Sequence, residues 1–216
     1  APYRMMANTH VAESGNPEEV AVLKIYSGAT LVFEPNKYIR IGSPNNSTDN
    51  AGALQADGVT FTSIDSSVTW QGIRFHAGTN DGLTIIENSV FEYGGVQDYG
   101  AIYCFDWANP TVINSTFRNN ICGVKVEIDG APIVAGNTFI NNQIPVRTYS
   151  RNIDENLYDN VYTDNVDANG DPSDYIYVYG DGEDYRLGEN KTYDWLADGA
   201  PYRMMANTYV WENGDS

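Results

Sequence analysis

Short runs in which apolar and polar residues alternate recur along the whole chain, and Gly, Asn or Pro breaks each run after a few positions. "GATLVFEPNKYIRIG" (Gly28 to Gly42), "GALQADGVTFTS" (Gly52 to Ser63) and "TWQGIRFHAG" (Thr69 to Gly78) all have this form. Period-two alternation over so few residues marks a strand with one buried face, and the breaks mark turns. "DYIYVYGD" alternates strictly, with Tyr175, Tyr177 and Tyr179 on one face and Ile176 and Val178 on the other, and predicts another strand. Leu-rich helical stretches are lacking, so the pattern predicts an all-β protein.

The runs repeat at a short period. "PTVINSTFRNN" (Pro110 to Asn120) aligns with "PIVAGNTFINN" (Pro132 to Asn142) at an offset of 22 residues, and "TIIENSVFEYGG" (Thr84 to Gly95) fits the same template at an offset of 26. Coils this short, with brief strands and Asn-rich turns, predict a parallel β-helix in which successive rungs sit about 4.8 Å apart. A propeller blade needs roughly twice the length. One coil cannot bury its inward face alone, whereas stacked coils share a continuous core. Inward columns are expected at Phe91, Phe117 and Phe139, at Val112 and Val134, and at Ile102, Val124 and Val146. Asn120 and Asn142 should stack in a turn, where Asn tolerates left-handed backbone and can bond its neighbour in the next rung.

A second repeat is far longer. "APYRMMANT" occurs as Ala1 to Thr9 and again as Ala200 to Thr208, an offset of 199, and continues with drift: Val11 matches Val210, Glu13 matches Glu212 and Gly15 matches Gly214. Imperfect continuation is what tandem units of one gene produce. These residues resemble the right-handed parallel β-helix repeat family of secreted and cell-surface proteins of bacteria and archaea. The resemblance rests on the "Pro-x-Ile/Val-x-x-Asn/Ser-Thr-Phe/Ile-x-x-Asn" motif and on the order of "PYRMMANT", "LKIYSGATLVFEPNKYIRIG" and "TWQGIRF". It implies a right-handed parallel β-helix. It leaves the function open, because lyases, glycosidases, adhesins and purely structural proteins share that scaffold. The expected organisation is an opening segment at 1–19 continuing from a preceding unit, a β-helix at 20–150, an acidic Tyr-rich extension at 151–192, and the start of a next unit or a junction segment at 193–216.

Charge narrows the classes. With 29 acidic against 12 basic side chains the formal net charge is −17, which repels phosphate backbones and argues against nucleic acid as a partner. No apolar run approaches the roughly 20 residues of a membrane-spanning helix. An acidic, Asn-rich surface fits an extracellular or cell-surface setting.

Candidate chemistry is sparse. Only His10 and His76 are present, and Tyr209 replaces His10 in the second copy of the long repeat. Arg118, Lys125, Arg147 and Asp129 are expected on adjacent rungs, where they would make a lyase-like set with Lys125 directly over Arg147; a solvated face produces the same pattern. Asp167, Asn169, Asp171 and Asp174 in "NVDANGDPSD" offer alternating oxygen ligands suited to a structural Ca2+, or form a solvated acidic turn. Pro172 and Val178 stand where an EF-hand needs Gly and Glu, which excludes that motif. The nearby Asp181, Glu183 and Asp184 could join either arrangement. Trp70, Trp107, Tyr175, Tyr177 and Tyr179 are candidate carbohydrate contacts. Of the Asn-x-Ser/Thr sequons at Asn45, Asn46, Asn114 and Asn190, the last is the candidate glycan acceptor. Cys104 and Cys122 stand four residues apart in the template, about 13 Å along a strand, and are expected to be free buried thiols.

The expected function is an extracellular structural or adhesive protein without catalytic activity, a repeat unit of a tandem array or self-assembling filament. Its partner would be another copy of itself, joined head to tail through Pro2, Tyr3, Met5, Met6, Pro201, Tyr202, Met204, Met205 and Trp211. A carbohydrate-active or carbohydrate-binding β-helix, with polysaccharide as partner, is the alternative.

Overall fold

The computed structural model describes residues 2–13, 19–43, 51–96, 98–127, 130–149, 156–179, 186–187, 198–206 and 209–210, and in it the chain winds through successive three-strand coils. The first two coils carry β1 (Tyr3–Met5), β2 (Thr9–Val11), β3 (Val20–Ile25), β4 (Thr30–Phe33), β5 (Ile39–Ile41) and β6 (Ala51–Asp57). The next two carry β7 (Thr60–Ser63), β8 (Ile73–Phe75), β9 (Ile85–Glu87), β10 (Val90–Glu92), β11 (Ile102–Cys104) and β12 (Thr111–Ile113). Then follow β13 (Thr116–Arg118), β14 (Cys122–Val126), β15 (Ile133–Ala135), β16 (Thr138–Ile140), β17 (Ile144–Tyr149) and β18 (Leu157–Tyr158). The upper end holds β19 (Val161–Thr163), β20 (Ile176–Tyr179), β21 (Arg186–Leu187), β22 (Tyr202–Met204) and β23 (Tyr209–Val210).

Every third strand stacks on its predecessor in parallel, giving three faces. Sheet A runs β1-β4-β7-β10-β13-β16-β19, sheet B runs β2-β5-β8-β11-β14-β17-β20-β22, and sheet C runs β3-β6-β9-β12-β15-β18; β21 and β23 pair separately. The fold is a right-handed parallel β-helix. All the expected columns are in register: Phe91, Phe117 and Phe139 on sheet A, Ile102, Val124 and Val146 on sheet B, Val112 and Val134 on sheet C. All are buried.

The sheet A column is aromatic over most of its length. Centroids lie 4.9 Å apart for Phe61–Phe91, 4.7 Å for Phe91–Phe117, 4.9 Å for Phe117–Phe139 and 5.2 Å for Phe139–Tyr162, with the rings nearly parallel. These spacings match the distance between rungs, so one rotamer repeated in register produces the stack. Each buried ring contributes about 2–3 kcal/mol.

Two ladders of hydrogen bonds tie the turns together. In the turn leading to sheet B, Asn142 Oδ1 accepts from the backbone N–H (3.1 Å) and side-chain amide (2.9 Å) of Asn120. Asn165 Oδ1 accepts from Asn142 in the same way. In the turn leading to sheet A the ladder climbs through Ser89, Ser115, Asn137 and Asn160. The left-handed residues are the neighbours Asn119 (φ 56°) and Asn141 (φ 54°), which bend the chain, while Asn120 and Asn142 bridge the rungs. Turning and bridging, expected of one residue, are divided between two. Close stacking also demands Gly72 (φ 79°), where a Cβ would lie 2.1 Å from the Gly100 carbonyl oxygen.

The coils run through the divisions expected at residues 19 and 150. β1 to β3 already stack as the first rung, and β18, β19 and β20 continue all three sheets. The described part of 193–216 likewise adds to this chain's own helix, β22 pairing with β20.

Candidate functional site

Strand alternation that sends Ile and Val inward on sheet B sends the residue between them outward. The outward residues stand in register from rung to rung: His10, Arg40, Arg74, Tyr103, Lys125, Arg147, Tyr177 and Arg203. Five of the chain's 12 basic side chains therefore line one column of a protein whose net charge is −17. Neighbours in this column are about 4.8 Å apart along the backbone, and like charges at that distance repel.

Tyrosine rings moderate that repulsion. The Arg74 guanidinium lies 4.1 Å from the Tyr38 ring centroid and 3.7 Å from that of Tyr99. Arg147 lies 3.8 Å from Tyr179, Lys125 lies 5.3 Å from Tyr103, and Arg203 lies 5.5 Å from both Tyr175 and Tyr177. Each contact places a cation against the negative face of a ring. Lys125 is also neutralised: its Nζ lies 2.5 Å from Glu127 and donates to the Asp98 carbonyl at 2.8 Å. Among the described residues, none of Arg40, Arg74, Arg147 and Arg203 has a carboxylate within ion-pairing distance. The Nε atoms of Arg40 and Arg147 are buried with no hydrogen-bond partner among those residues.

The positive field shows in its neighbours. Burial, then Arg40 and Arg74, push the His76 imidazole down to about 4. His76 is therefore neutral at pH 7, and its 4.0 Å approach to Asp106 is not an ion pair at that pH. His10, lowered by burial and by Arg40, accepts from Arg40 Nη2 at 3.0 Å. Burial and Glu127 raise the Tyr103 phenol, which keeps its proton.

The column gathers some of the expected residues and disperses others. Lys125 and Arg147 are adjacent as expected. Arg118 lies on the outer face of sheet A, ion-paired with Glu92, and Asp129 lies outside the described residues, so the lyase-like set is not brought together. Tyr175 and Tyr179 are half-buried beside the column, whereas Tyr177 within it is buried, its hydroxyl 2.7 Å from Ser173 Oγ, so it offers no open ring to a carbohydrate; Ile176 and Val178 are buried beneath. Trp107 is exposed in a turn. Trp70 is no carbohydrate contact. It is fully buried, stacks 4.3 Å from Phe33 and donates its indole N–H to the Glu92 carbonyl at 2.9 Å.

Two side-chain oxygens of the acidic loop accept hydrogen bonds from nearby amides. Asp167 Oδ1 accepts the backbone N–H of Asn169 and of Asp171, and Asp174 Oδ1 accepts both amides of Asn165. Asp167, Asn169, Asp171 and Asp174 thus form a turn and a ladder end, and no group of three or more His, Cys, Asp or Glu gathers as a metal site among the described residues. Asn45, Asn46, Asp181, Glu183, Asp184, Asn190 and Trp211 fall outside them, and Asn114 bends its coil at φ 50°. Cys104 and Cys122 are free and buried as expected.

Of the junction candidates, Pro2, Tyr3, Met6, Pro201, Met204 and Met205 are exposed, while Met5 and Tyr202 pack partly against the core. Arg40, Arg74, Tyr103 and Arg203 were not among the expected site residues. Strand parity could have pointed each of them outward, but the unequal coil lengths hid their common column.

Comparison with known proteins gives one match: a family described as right-handed beta helix region corresponds to residues 46–191, more than half of the chain. No curated protein and no solved structure matches.

Proposed function

The chain belongs to the right-handed β-helix family, and from that premise we propose that it is an extracellular structural and adhesive protein without catalytic activity, a repeat unit that assembles end to end and holds extended acidic polysaccharide along sheet B. The single observation that carries the adhesive role is the column of four arginines without carboxylate partners among the described residues of a strongly acidic chain. An anionic polymer laid along that column would bring a carboxylate near each guanidinium, relieving the repulsion between rungs. The rung spacing is comparable to the rise of one sugar in an extended glycan, and the half-buried Tyr175 and Tyr179 stand beside it. The second copy of the long repeat favours the assembling role, because β22 already extends sheet B by one strand.

Affinity chromatography of the full chain on polygalacturonate and on a neutral glucan tests the adhesive role. Retention on the uronate polymer at low salt, loss of retention as salt shortens the screening length to a few ångströms, and several-fold weaker retention of Arg74→Gln and Arg147→Gln are expected. Equal retention on the neutral polymer would remove the role assigned to the arginines. New reducing ends or unsaturated products would instead favour the alternative, a polysaccharide-cleaving enzyme.

A further inference from the structure

The two copies of the long repeat fold into the same pair of strands, seated on different faces. Residues 3–5 form β1 and the matching 202–204 form β22; residues 10 and 11 lie in β2 and the matching 209 and 210 form β23. β1 belongs to sheet A, with Tyr3 opposite Leu31, Arg4 opposite Val32 and Met5 opposite Phe33. β22 belongs to sheet B, with Ile176 opposite Tyr202, Tyr177 opposite Arg203 and Val178 opposite Met204, and the Met205 N–H donates to the Val178 carbonyl at 2.8 Å. β23 pairs with β21, the strand that follows β20 in the chain. In every lower coil the strand after a sheet B strand belongs to sheet C. The second copy has therefore moved round the helix by one face.

Both seats use the strand alike. Tyr and Met of "Tyr-Arg-Met" stand over inward columns, Leu31 and Phe33 in one case and Ile176 and Val178 in the other, and Arg points outward. In the first rung the other edge of β1 carries no strand among the described residues. Beside it the core opens as a cavity of about 570 Å³ lined by Tyr3, Met5, Leu23, Ile25, Leu31 and Ile39. An open strand edge over an apolar cavity is a template for another strand.

We infer that copies of this chain join end to end with a shift of one face. β1 of the following copy takes on β20 of the preceding copy the seat that β22 occupies within the chain, so that sheet B of the preceding copy runs on as sheet A of the next. The identical sequence fixes the register: Tyr3 opposite Ile176, Arg4 opposite Tyr177, Met5 opposite Val178 and, one step on, Met6 beside Tyr179. The last rung of the preceding copy then closes the cavity. In a chain of tandem units the same join is covalent, β22 being the next unit's first strand. Between separate chains β1 exchanges for β22, a head-to-tail contact that propagates rather than closing on itself. The inference rests on the end-to-end reading proposed above and specifies its geometry.

Disulfide trapping between full-length copies tests it, because both native thiols are buried. A copy carrying Tyr179→Cys, with Arg203→Pro to weaken its own β22, is mixed with a copy carrying Met6→Cys and mildly oxidised. A second mixture, Thr163→Cys with Arg4→Cys, samples straight stacking of sheet A on sheet A. The expected result is disulfide-linked heterodimer in the first mixture at several-fold the yield of the second. Trapping in the second mixture alone, or association by light scattering without trapping in the first, overturns the one-face shift and leaves end-to-end assembly standing. No association in either mixture up to the solubility limit overturns the shift and self-assembly of separate copies together.

Discussion

Asp198 accepts from Asn160 at both carboxylate oxygens: Oδ1 takes the backbone N–H and Oδ2 the side-chain amide, each at 2.8 Å. Asp174 likewise accepts both groups of Asn165, the backbone N–H and the side-chain amide, but at one oxygen, Oδ1. Each Asn in a ladder accepts from the rung below and must donate its own amide to the rung above. The last member has no rung above, and a carboxylate there accepts without needing to donate. Both ladders therefore end in Asp.

Removing that terminator should be costly. In Asp198→Ala the buried Asn160 amides and the Tyr162 hydroxyl, which donates to Asp198 at 2.7 Å, lose their acceptor. A loss of about 2–4 kcal/mol is expected in urea unfolding. Asp198→Asn restores one acceptor but turns an N–H2 toward donors, and should lose about 1 kcal/mol. An Asn variant as stable as the original would refute the terminator account.

Phe117 lies midway in the aromatic stack with rings on both sides. Phe117→Ala should cost about 3–5 kcal/mol, and Phe117→Leu, which keeps most of the volume, less than about 1.5 kcal/mol. Unfolding midpoints of the two variants separate packing volume from ring stacking, since equal losses would assign the whole effect to the stack.

His76 gives the stability a pH slope. Its folded value, about 4, lies below the unfolded value of 6.5. Between these limits the unfolded chain binds a proton that the folded chain does not, so stability rises with pH through that window and falls on acidification. For a partly screened site the effect is about 1 kcal/mol between pH 7 and pH 5. His76→Gln should flatten this slope relative to the original protein when urea midpoints are compared at the two pH values.

Burial raises both thiols, Cys122 to about 12 and Cys104 further. A thiol-specific reagent at pH 8 should leave the folded chain unmodified and label both sites only as fast as the protein opens. Rapid labelling of either cysteine in native buffer would contradict their placement in the core.

One oxygen of Asp167 and one of Asp174, Oδ1 in each, already serve backbone and side-chain amides. Chelation with EDTA should therefore leave the melting temperature unchanged, and Asp167→Ala should lower stability equally with and without added Ca2+. A rise in melting temperature on adding Ca2+ that Asp167→Ala abolishes would restore the loop as a metal site.

Regular coils make part of this legible in the sequence. Phe117 and Phe139 stand one 22-residue coil apart, so the sheet A and sheet C columns follow from the repeat, and Lys125 over Arg147 comes with them. The rest of the sheet B column is spaced irregularly, as far as 34 residues between Arg40 and Arg74, because turns of different length intervene while the strands stay in register. Asp198 lies 38 residues from Asn160, across an insertion that no local pattern can bridge. Trp70 misled for a different reason: its coil departs from the template, and only packing between Phe33 and Phe61 shows that the indole fills a corner of the core.

The hydrogen bonds between rungs all point along the axis of the helix. A pull on its two ends loads the rung boundaries in series, each carrying the full force, so the structure yields at its weakest boundary however many coils it has. Adding coils gives length without tensile strength. Between the coil of Ser89 and Asn120 and the ends at Asp174 and Asp198, the boundaries are held by strand bonds, side-chain ladders and stacked rings together; toward either end of the helix the ladders are absent. Tension should peel the rungs outside the ladders first and leave the coils between them whole, a built-in fuse.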